Sequence, residues 1–278
     1  MDSSKIIISI IIPCYNTGEY LPEALASVYA YKGDYVYEII IIDDGSTDVK
    51  TLKLLDSLSD KHVVIKQANA GPAAARNAGC KIAKGEFLLF LDSDDKIVPE
   101  YINLGINHLQ QNNKDGVVYA QPIFFGVHFR TEFKTYPFDI SKLLLDNYIC
   151  ISTILRKTAW ESVGGFDESP AMFTLEDWDF WLSIFEKGWN FHFLNKPLFY
   201  YRIREGSLMD LHLQNKEYFR RNNYLFNKHY ELYRKYYAFI IDNTIAHFKE
   251  QSLAYRIGNT FTRPVKIIKK YLNKQRDD

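Results

Sequence analysis

Three short apolar runs in the first third of the chain constrain its fold more than any other feature. They are Ile6–Ile12, Val36–Ile42 and Phe87–Leu91, and each ends at turn-forming or acidic residues. Runs that are apolar almost throughout, rather than alternating, are typical of strands buried on both faces of a parallel sheet. Apolar residues at helical spacing fill the intervals between them. The order strand, helix, strand, helix, strand predicts the first half of a doubly wound α/β sheet.

The remainder of the chain predicts a mixed continuation followed by helices. A helix is predicted over Leu175–Lys187, and the chain from about Met209 onward has a helical pattern. We therefore predict an α/β domain over residues 1–207 and a helical C-terminal extension over residues 208–278. Further strands are predicted at Gly116–Ala120, Ile149–Leu155, Trp189–Leu194 and Leu198–Ile203.

Charge and cysteine usage narrow the class of protein. Lysine plus arginine and aspartate plus glutamate both number 34, so the formal net charge is zero and no global field favours nucleic acid as a partner. The three cysteines, Cys14, Cys80 and Cys150, are far apart and odd in number, which favours a reducing compartment over a disulfide framework. The run Ile6–Ile12 is too short for a membrane span, which needs about 20 residues, so we expect a cytoplasmic protein.

Acidic residues follow two of the predicted strands, at the sheet edge where ligands of such folds bind. Asp92, Asp94 and Asp95 come directly after Phe87–Leu91. Carboxylates crowded at one strand end repel one another, and a hard cation such as Mg²⁺ or Mn²⁺ relieves the repulsion while it bridges to phosphates. Taken alone, such a triplet is more often a turn with a helix cap. Asp44, after the second run, suits hydrogen bonds to a nucleobase or ribose and suits an ordinary turn equally well.

Other residues near these strand ends have chemistry that fits a nucleotide. Tyr15, in the loop after the first run, can stack on a base. Arg76 belongs to an alanine-rich helix that can lie close to the sheet, where it can meet a phosphate or base. Arg202 and Arg204 alternate with apolar residues as on a strand, so both point to one face and can neutralise a diphosphate. In isolation, an ordinary loop is the commoner explanation for Tyr15, and a surface arginine is the commoner explanation for Arg76. The alternative for Arg202 and Arg204 is an edge strand with solvated arginines.

A further acid lies at the start of the predicted helix Leu175–Lys187. By helical spacing, Asp177 shares a face with apolar residues, so it is the acid expected to point inward, where burial raises its pKa. The start of a helix opposes that shift because it favours the charged form. A carboxylate held near an acceptor hydroxyl can act as general base, and a helix cap is the alternative. The same spacing assigns to one polar face Glu176, Asp179, Ser183 and Glu186.

Together, these motifs resemble glycosyltransferase family 2, whose members are inverting enzymes of the GT-A fold. The resemblance extends over roughly residues 5–207, and the motifs occur in the family's order. It implies a Rossmann-like mixed sheet, mostly parallel and flanked by helices. The matching motifs are Ser9-Ile10-Ile11-Ile12-Pro13-x-Tyr15-Asn16, Asp43-Asp44-Gly45-Ser46-x-Asp48, Asn69-x-Gly71-x4-Arg76-Asn77-x-Gly79, Leu91-Asp92-Ser93-Asp94-Asp95, Gly164-Gly165-Phe166-Asp167-Glu168, Glu176-Asp177 and Tyr201-Arg202.

The resemblance also implies roles for individual residues. A nucleotide-sugar, usually a UDP-sugar, would be the donor, a glycan or lipid-linked hydroxyl the acceptor, and Mn²⁺ or Mg²⁺ the cofactor. Asp177 would remove the proton from the acceptor hydroxyl in one in-line displacement that inverts the anomeric configuration. Asp94 would lead the metal site, with Asp95 nearby. The donor-binding residues would be Pro13, Tyr15, Asp44, Arg76, Asp92, Ser93, Arg202 and Arg204.

One residue departs from the family pattern, and one motif is missing. Many members have histidine where Arg204 stands, and arginine cannot ligate a metal although it supplies positive charge. The Gln-x-x-Arg-Trp motif of processive synthases is absent, so we expect a single-addition enzyme of surface polysaccharide or glycoconjugate synthesis. The alternatives are a non-catalytic nucleotide- or carbohydrate-binding protein on the same fold and a sugar nucleotidyltransferase. A sugar nucleotidyltransferase requires a Gly-rich phosphate loop after the first strand, and a dinucleotide-dependent oxidoreductase requires G-x-G-x-x-G there. The loop of this chain, Pro13-Cys14-Tyr15-Asn16, has neither motif.

The C-terminal region leaves two questions open. Residues 262–276 interleave basic and apolar side chains, which fits either a basic amphipathic helix at the inner face of a membrane or a solvated terminal helix. The aromatic residues of Tyr218–Tyr237 fit an acceptor site or a homodimer contact, although core packing is the commoner explanation.

Overall fold

The computed structural model describes residues 5–127, 133–205 and 218–251. Within these residues eight strands form a single sheet, and helices cover both of its faces. The strands are β1 (Ile8–Cys14), β2 (Tyr37–Asp43), β3 (Val63–Lys66), β4 (Phe87–Phe90), β5 (Lys96–Ile97), β6 (Asp115–Gly126), β7 (Ile154–Arg156) and β8 (Asn190–Ile203). The helices are α1 (Leu21–Tyr29), α2 (Val49–Leu58), α3 (Pro72–Ile82), α4 (Glu100–Gln111), α5 (Ile140–Leu143), α6 (Lys157–Val163), α7 (Glu176–Glu186), α8 (Tyr218–Lys228) and α9 (Tyr230–Gln251), with a short 3₁₀ helix at Pro170–Met172.

The strand order across the sheet is β3-β2-β1-β4-β7-β6-β8-β5. β1 pairs in parallel with β2 and β4, and β2 pairs in parallel with β3, which forms the predicted doubly wound half. β7 is antiparallel to both β4 and β6, while β6 and β8 are parallel. The predicted mixed, mostly parallel α/β fold is confirmed. The carboxyl ends of β1, β2 and β4 meet at one edge of the sheet.

The three apolar runs form strands whose central residues are buried, because helices cover both of their faces. In β1, Ile11 packs in the cluster that contains α3 and α7, and Ile10 packs in the cluster that contains α1 and α4. The small residues of α3 let this helix lie close to the sheet, as predicted. A Cβ atom added at Gly79 would lie 2.6 Å from Ile11 Cγ2 and 2.8 Å from Ile42 Cδ1, so even alanine overpacks this contact.

Some elements differ from the sequence prediction. The two strands predicted at Trp189–Leu194 and Leu198–Ile203 are one continuous strand, β8, because it pairs with β6 along most of its length. The strand predicted at Ile149–Leu155 is shorter, since pairing with β4 and β6 begins only at Ile154. Helix α4 and the two-residue strand β5 have no counterpart among the predicted elements.

The C-terminal helices α8 and α9 pack against the α/β part of the chain. Leu225 and Leu232 are buried in the same hydrophobic cluster as Trp181 of α7. Other aromatic residues of these helices stay exposed, Tyr230 at 49% and Tyr237 at 65%. Core packing therefore explains only some of the aromatic residues of Tyr218–Tyr237, since others remain exposed to solvent.

Two predictions fall on residues that the structure does not describe. One is the domain boundary near residue 207, and the other is the basic segment over residues 262–276. Among the residues that are described, no helix combines the length and the apolar character needed to cross a bilayer.

Candidate active site

Asp44 holds the loop that leads from β3 into α3. Its carboxylate accepts hydrogen bonds from Gln67 Nε2 at 2.8 Å, from Ala70 N at 2.9 Å and from Gly71 N at 2.8 Å. The residue is buried at the end of β2. A carboxylate has about four acceptor positions, so about one remains for a ligand such as a nucleoside.

Asn16 ties the loop after β1 to the loop after β2, a role that the sequence analysis does not assign to it. Its Oδ1 accepts hydrogen bonds from Thr47 N and Asp48 N, each at 2.8 Å. Its φ of +54° is a conformation that asparagine adopts more readily than most residues. Tyr15 beside it is 48% exposed, while Pro13 is half-buried within β1. The Tyr15 ring is therefore accessible for stacking at the carboxyl edge of the sheet.

The acidic loop after β4 places its four residues in different environments. Ser93 is buried, and its Oγ lies 2.6 Å from Thr17 Oγ1. Asp95 is 3% exposed, and its Oδ1 accepts a hydrogen bond from a backbone N–H of β8 at 2.8 Å. The side chains of Asp92 and Asp94 keep 32% and 19% of their surface accessible. The contacts of Ser93 and Asp95 thus secure the loop, whereas Asp92 and Asp94 keep part of their side chains accessible to solvent.

β8 brings both predicted arginines to this loop because it pairs with β5, which follows the loop directly. Arg204 Nε donates a hydrogen bond to Asp94 Oδ2 at 2.6 Å. Arg202 Nε donates to the Asp94 carbonyl oxygen at 2.8 Å. The Arg202 guanidinium also lies 4.6 Å from the Tyr20 ring centroid and 3.0 Å from Glu23 Oε2. Arg202 is therefore fixed by several contacts within the protein, whereas Arg204 contacts the side chain of Asp94.

Arg76 of α3 lies at the centre of the site and not on the surface, with only 3% exposed. Its Nη2 is 2.9 Å from Asp92 Oδ1, and its Nη1 is 3.4 Å from Glu176 Oε1 and 3.5 Å from Asp177 Oδ1. Burial works against the charge, but the three carboxylates outweigh it and raise the pKa of the guanidinium above its ordinary value. One buried cation thereby joins the loop after β4 to the start of α7.

The first turns of α7 bury different acids from the one expected. Glu176 and Asp179 are 5% and 1% exposed, whereas 28% of the Asp177 side chain remains accessible. Asp177 is therefore not the most deeply buried acid of the helix. The face predicted to be polar is buried in its first half, at Glu176 and Asp179, and reaches solvent at Glu186. The physical reason is that distant groups supply partners there. Arg76 contacts Glu176, and both Lys228 and His229 contact Asp179.

Burial raises the pKa of both acids that contact Arg76 from α7. For Asp177, burial is the largest cause, Asp92 adds to it and Arg76 opposes it. For Glu176, burial followed by the charge of Asp177 raises the pKa from 4.5 to about 7. A carboxylate with a raised pKa takes a proton from a hydroxyl more readily, which is what a general base requires.

Asn77, which follows Arg76, connects α3 to the Gly-Gly-Phe-Asp-Glu loop. Its Nδ2 donates to Phe166 O at 2.9 Å and to Glu168 Oε1 at 2.8 Å. Its Oδ1 accepts from Phe166 N at 2.9 Å and from Trp160 Nε1 at 3.1 Å. Through this buried amide, the Gly-Gly-Phe-Asp-Glu loop holds in place the helix from which Arg76 projects.

The segment before α7 is held by the C-terminal helices. Thr174 has a φ of +71°, an unusual conformation for a β-branched residue. Arg221 of α8 donates from Nη1 to Thr174 Oγ1 at 3.2 Å, and its guanidinium lies 5.4 Å from the Phe173 ring centroid. The C-terminal helices thus contact the turn that leads to Asp177, a connection that the sequence analysis does not predict.

The acidic loop has the donor chemistry of a site for a hard divalent cation. Burial and the charge of Asp92 raise the pKa of Asp94, as expected for carboxylates crowded with too little positive charge. Mg²⁺ and Mn²⁺ prefer such oxygen ligands together with phosphate oxygens. Asp92 and Asp94 fit the ion because they are accessible. Asp95 fits less well because its carboxylate is buried against the backbone of Arg202.

Known proteins are similar to this chain in sequence and in fold. The family model described as Glycosyl transferase family 2 matches residues 9–172. An Escherichia coli relative, named UDP-Glc:alpha-D-GlcNAc-diphosphoundecaprenol beta-1,3-glucosyltransferase WfaP, is 32% identical over 209 residues, which cover 73% of this chain and 79% of that protein. The putative teichuronic acid biosynthesis glycosyltransferase TuaG of Bacillus subtilis is 27% identical over 223 residues, which cover 75% and 83%.

A solved structure agrees with these relatives. S. aureus TarS 1-349 in complex with UDP-GlcNAc superposes with a TM-score of 0.60 at 25% identity, over 74% of this chain and 61% of that one. The chain also covers 44% of the length of an uncharacterized glycosyltransferase of Haemophilus influenzae, with 40% identity over 111 residues. The family model spans more than half of this sequence, and the chain belongs to glycosyltransferase family 2.

Proposed function

We propose that this chain is an inverting glycosyltransferase that moves a sugar from a UDP-sugar to a hydroxyl of a glycan or lipid-linked acceptor. The name of WfaP specifies a UDP-Glc donor and a diphosphoundecaprenol acceptor, and the TarS structure holds UDP-GlcNAc. The name of TuaG specifies teichuronic acid biosynthesis. These relatives support a nucleotide-sugar donor and a setting in surface polysaccharide or glycoconjugate synthesis.

The observation that carries the proposal is the convergence of two acids from separate elements on one guanidinium. Asp92 follows β4, Asp177 lies in the first turn of α7, and they lie 2.9 Å and 3.5 Å from nitrogens of Arg76. The donor-side loop and an accessible carboxylate with a raised pKa therefore face one small volume. Displacement at an anomeric carbon requires such an arrangement, with the leaving group on one side and the base on the other.

In the proposed reaction, Asp177 takes the proton of the acceptor hydroxyl while that oxygen bonds to the anomeric carbon of the donor. The bond from that carbon to the diphosphate oxygen breaks, and its electron pair leaves with the diphosphate. Attack occurs on the face opposite the leaving group, so the configuration inverts. Arg76 keeps Asp177 and Asp92 in place, which makes it a positioning residue as well as a source of positive charge.

On the donor side we assign contacts by accessibility. Tyr15 would stack on the base, and Pro13 and Asp44 would contact the nucleoside. Arg204, whose guanidinium reaches Asp94, would neutralise the diphosphate. Arg202 would position the acidic loop, because its backbone N–H and side chain already bind that loop.

A divalent cation, Mn²⁺ or Mg²⁺, would be held by Asp94 with Asp92. Asp95 would support the loop through its hydrogen bond to the backbone of Arg202. When bound, the ion would supply positive charge that stabilises the departing diphosphate. We further propose a cytoplasmic location, with contact to the inner face of the membrane through residues 262–276, where the acceptor lipid would be presented.

The experiment that tests the donor site is thermal unfolding with UDP, GDP, dTDP and CMP, each with and without Mn²⁺. A ligand at about 100 times its Kd adds about 2.7 kcal/mol of stability. We expect UDP to stabilise the wild type only with the metal, Asp94→Asn to lose the effect, and Asp60→Asn, an exposed control, to keep it. No stabilisation by any nucleotide would show that the donor site is wrongly assigned.

Transfer is tested separately, with UDP-Glc and UDP-GlcNAc as donors and a polyprenyl-diphosphate sugar as acceptor. We expect UDP release and a product whose anomeric configuration, read by NMR, is inverted relative to the donor. Nucleotide binding without transfer or donor hydrolysis would favour the non-catalytic binding protein. A product of retained configuration would contradict the single displacement.

A further inference from the structure

Three side chains of metal-ligand type meet at the sheet edge opposite the acidic loop. His108 lies in the last turn of α4, Asp115 begins β6, and His192 lies near the start of β8. β6 runs in the same direction as β4, since β7 is antiparallel to both. Asp115 therefore lies at the edge where β4 begins, whereas Asp92 follows the end of β4. The cluster shares no residue with the proposed active site.

The ligand atoms of the cluster are close to one another. His108 Nε2 lies 2.6 Å from Asp115 Oδ2, and one ligand atom from each of the three residues lies within 4.8 Å of the other two. The rings of His108 and His192 stack with centroids 3.5 Å apart. In a tetrahedral zinc site each ligand atom is about 2.1 Å from the ion, so neighbouring ligand atoms are about 3.4 Å apart. The separation of His108 from Asp115 is shorter than that value, and no pair of ligand atoms in the cluster is more than 4.8 Å apart.

A bulge in β6 places Asp115 on the same face of the sheet as His192. The pairing with β8 shifts by one residue between Asp115 and Val117, which leaves Gly116 without a partner. In a regular strand, Asp115 would share the face of Val117, which packs in the cluster that contains α7. The extra residue instead puts Asp115 opposite Asn190, two residues from His192 on the same face.

Neighbouring groups hold Asp115 in this orientation. Its Oδ1 accepts a hydrogen bond from Asn190 Nδ2 at 3.2 Å, while its Oδ2 faces His108. Arg156 Nε donates to the Asp115 carbonyl oxygen at 3.0 Å, which fixes the backbone as well. Outer contacts of this kind orient the ligands of metal sites. His108 and Asp115 keep 18% and 17% of their side-chain surface accessible, so an ion can reach them.

We propose that His108, Asp115 and His192 form a second metal site, for a divalent cation of the zinc class. Two imidazole nitrogens and one carboxylate oxygen suit Zn²⁺, Co²⁺ or Ni²⁺, whereas Mg²⁺ and Mn²⁺ prefer the oxygen ligands of the acidic loop. Three protein ligands leave one tetrahedral position for water or another ligand. The cation joins α4 to the starts of β6 and β8, so its binding stabilises this edge of the sheet. The competing explanation is a hydrogen-bonded His–Asp pair with a stacked ring.

The test is titration of the tag-free, chelator-treated full chain with Zn²⁺ by calorimetry and with Co²⁺ by its absorption spectrum. We expect one equivalent with a tetrahedral cobalt spectrum, in the wild type and equally in Asp94→Asn. His192→Gln should weaken the affinity by at least about 10-fold, since even outer-shell changes cost about 10- to 100-fold. His62→Gln is the matched control, because His62 hydrogen-bonds to Tyr29 outside the cluster.

Thermal unfolding without metal shows whether each variant is folded. If His192→Gln does not fold, Asp115→Asn serves in its place, because it keeps the size of the side chain and loses the charge. The proposal is overturned if the wild type binds no zinc, if the cluster variant and the control bind it equally, or if Asp94→Asn abolishes the binding. The first two results would leave a His–Asp pair, and the third would place the ion at the acidic loop.

Discussion

His229 Nε2 lies 2.9 Å from Asp179 Oδ1, and this buried contact joins the C-terminal helices to α7, the helix that contains Asp177. The other ring nitrogen of His229, Nδ1, lies 2.9 Å from Glu186 Oε2. Lys228 Nζ adds a second contact to Asp179 at 2.9 Å. One imidazole between two carboxylates thus spans two turns of α7. The position of Asp177 therefore depends on residues far beyond the region matched by the family model.

We predict that His229→Ala lowers the free energy of unfolding by about 2–4 kcal/mol, because it leaves a cavity and removes a partner of the buried Asp179. Urea unfolding measures the change. Arg234→Ala is the control, since its ion pair with Glu231 is exposed and should contribute little to stability. Equal effects of the two substitutions would mean that the buried contact does not hold the helices on α7.

Asp177→Asn should lower the rate of sugar transfer by about 10²- to 10⁴-fold, because the amide cannot take the proton of the acceptor hydroxyl. Nucleotide affinity should change little, since the proposed donor contacts lie on the strand loops and β8. Steady-state kinetics together with calorimetric binding of UDP separate the two quantities. If Asp177→Asn keeps the wild-type kcat, Asp177 is not the general base.

Glu176 makes the stability of the protein depend on pH. Its pKa is raised from 4.5 to about 7 in the folded state, chiefly by burial, so the folded state holds the proton more tightly than the unfolded chain. This contribution is fully present below about pH 4.5 and is lost as the pH rises through about 7. We predict that Glu176→Gln flattens this part of the fall in stability.

Thermal unfolding over that pH range measures the slope for the wild type, for Glu176→Gln and for Glu161→Gln. Glu161 is exposed on α6, so its substitution should leave the slope of the wild type unchanged. If Glu176→Gln keeps the wild-type slope, another group is responsible for it.

Two substitutions of Arg204 distinguish the contribution of its positive charge from that of its planar guanidinium at the leaving diphosphate. We predict that Arg204→Gln lowers kcat/KM by about 100-fold, because it removes a cation from the diphosphate and from Asp94. Arg204→Lys should lose less, since the charge remains while the planar fork is lost. Kinetics with the same donor measure both, with Arg234→Gln as an exposed control. Wild-type activity in Arg204→Gln would reduce Arg204 to a structural partner of Asp94.

The sequence predicted the central strands well because their signal is local. Strands β1, β2 and β4 begin within two residues of the predicted runs, since an unbroken apolar segment ended by a turn identifies a buried strand by itself. The position of the acids at the carboxyl edge followed from the order of the elements. Helix α4 and the long strand β8 were harder to predict, because pairing with β6 decides where β8 is continuous.

The amino-acid sequence by itself determined the doubly wound half-sheet and placed Asp44, Asp92 and Asp94 at its edge, because hydrophobic period and strand order are properties of neighbouring residues. Only the tertiary structure decided which acids of α7 are buried. The partners of Glu176 and Asp179, Arg76 and His229, lie 100 and 50 residues away along the chain. Burial of a carboxylate requires a group that satisfies it, and in α7 those groups are distant along the chain, so helical spacing alone contains no information about them.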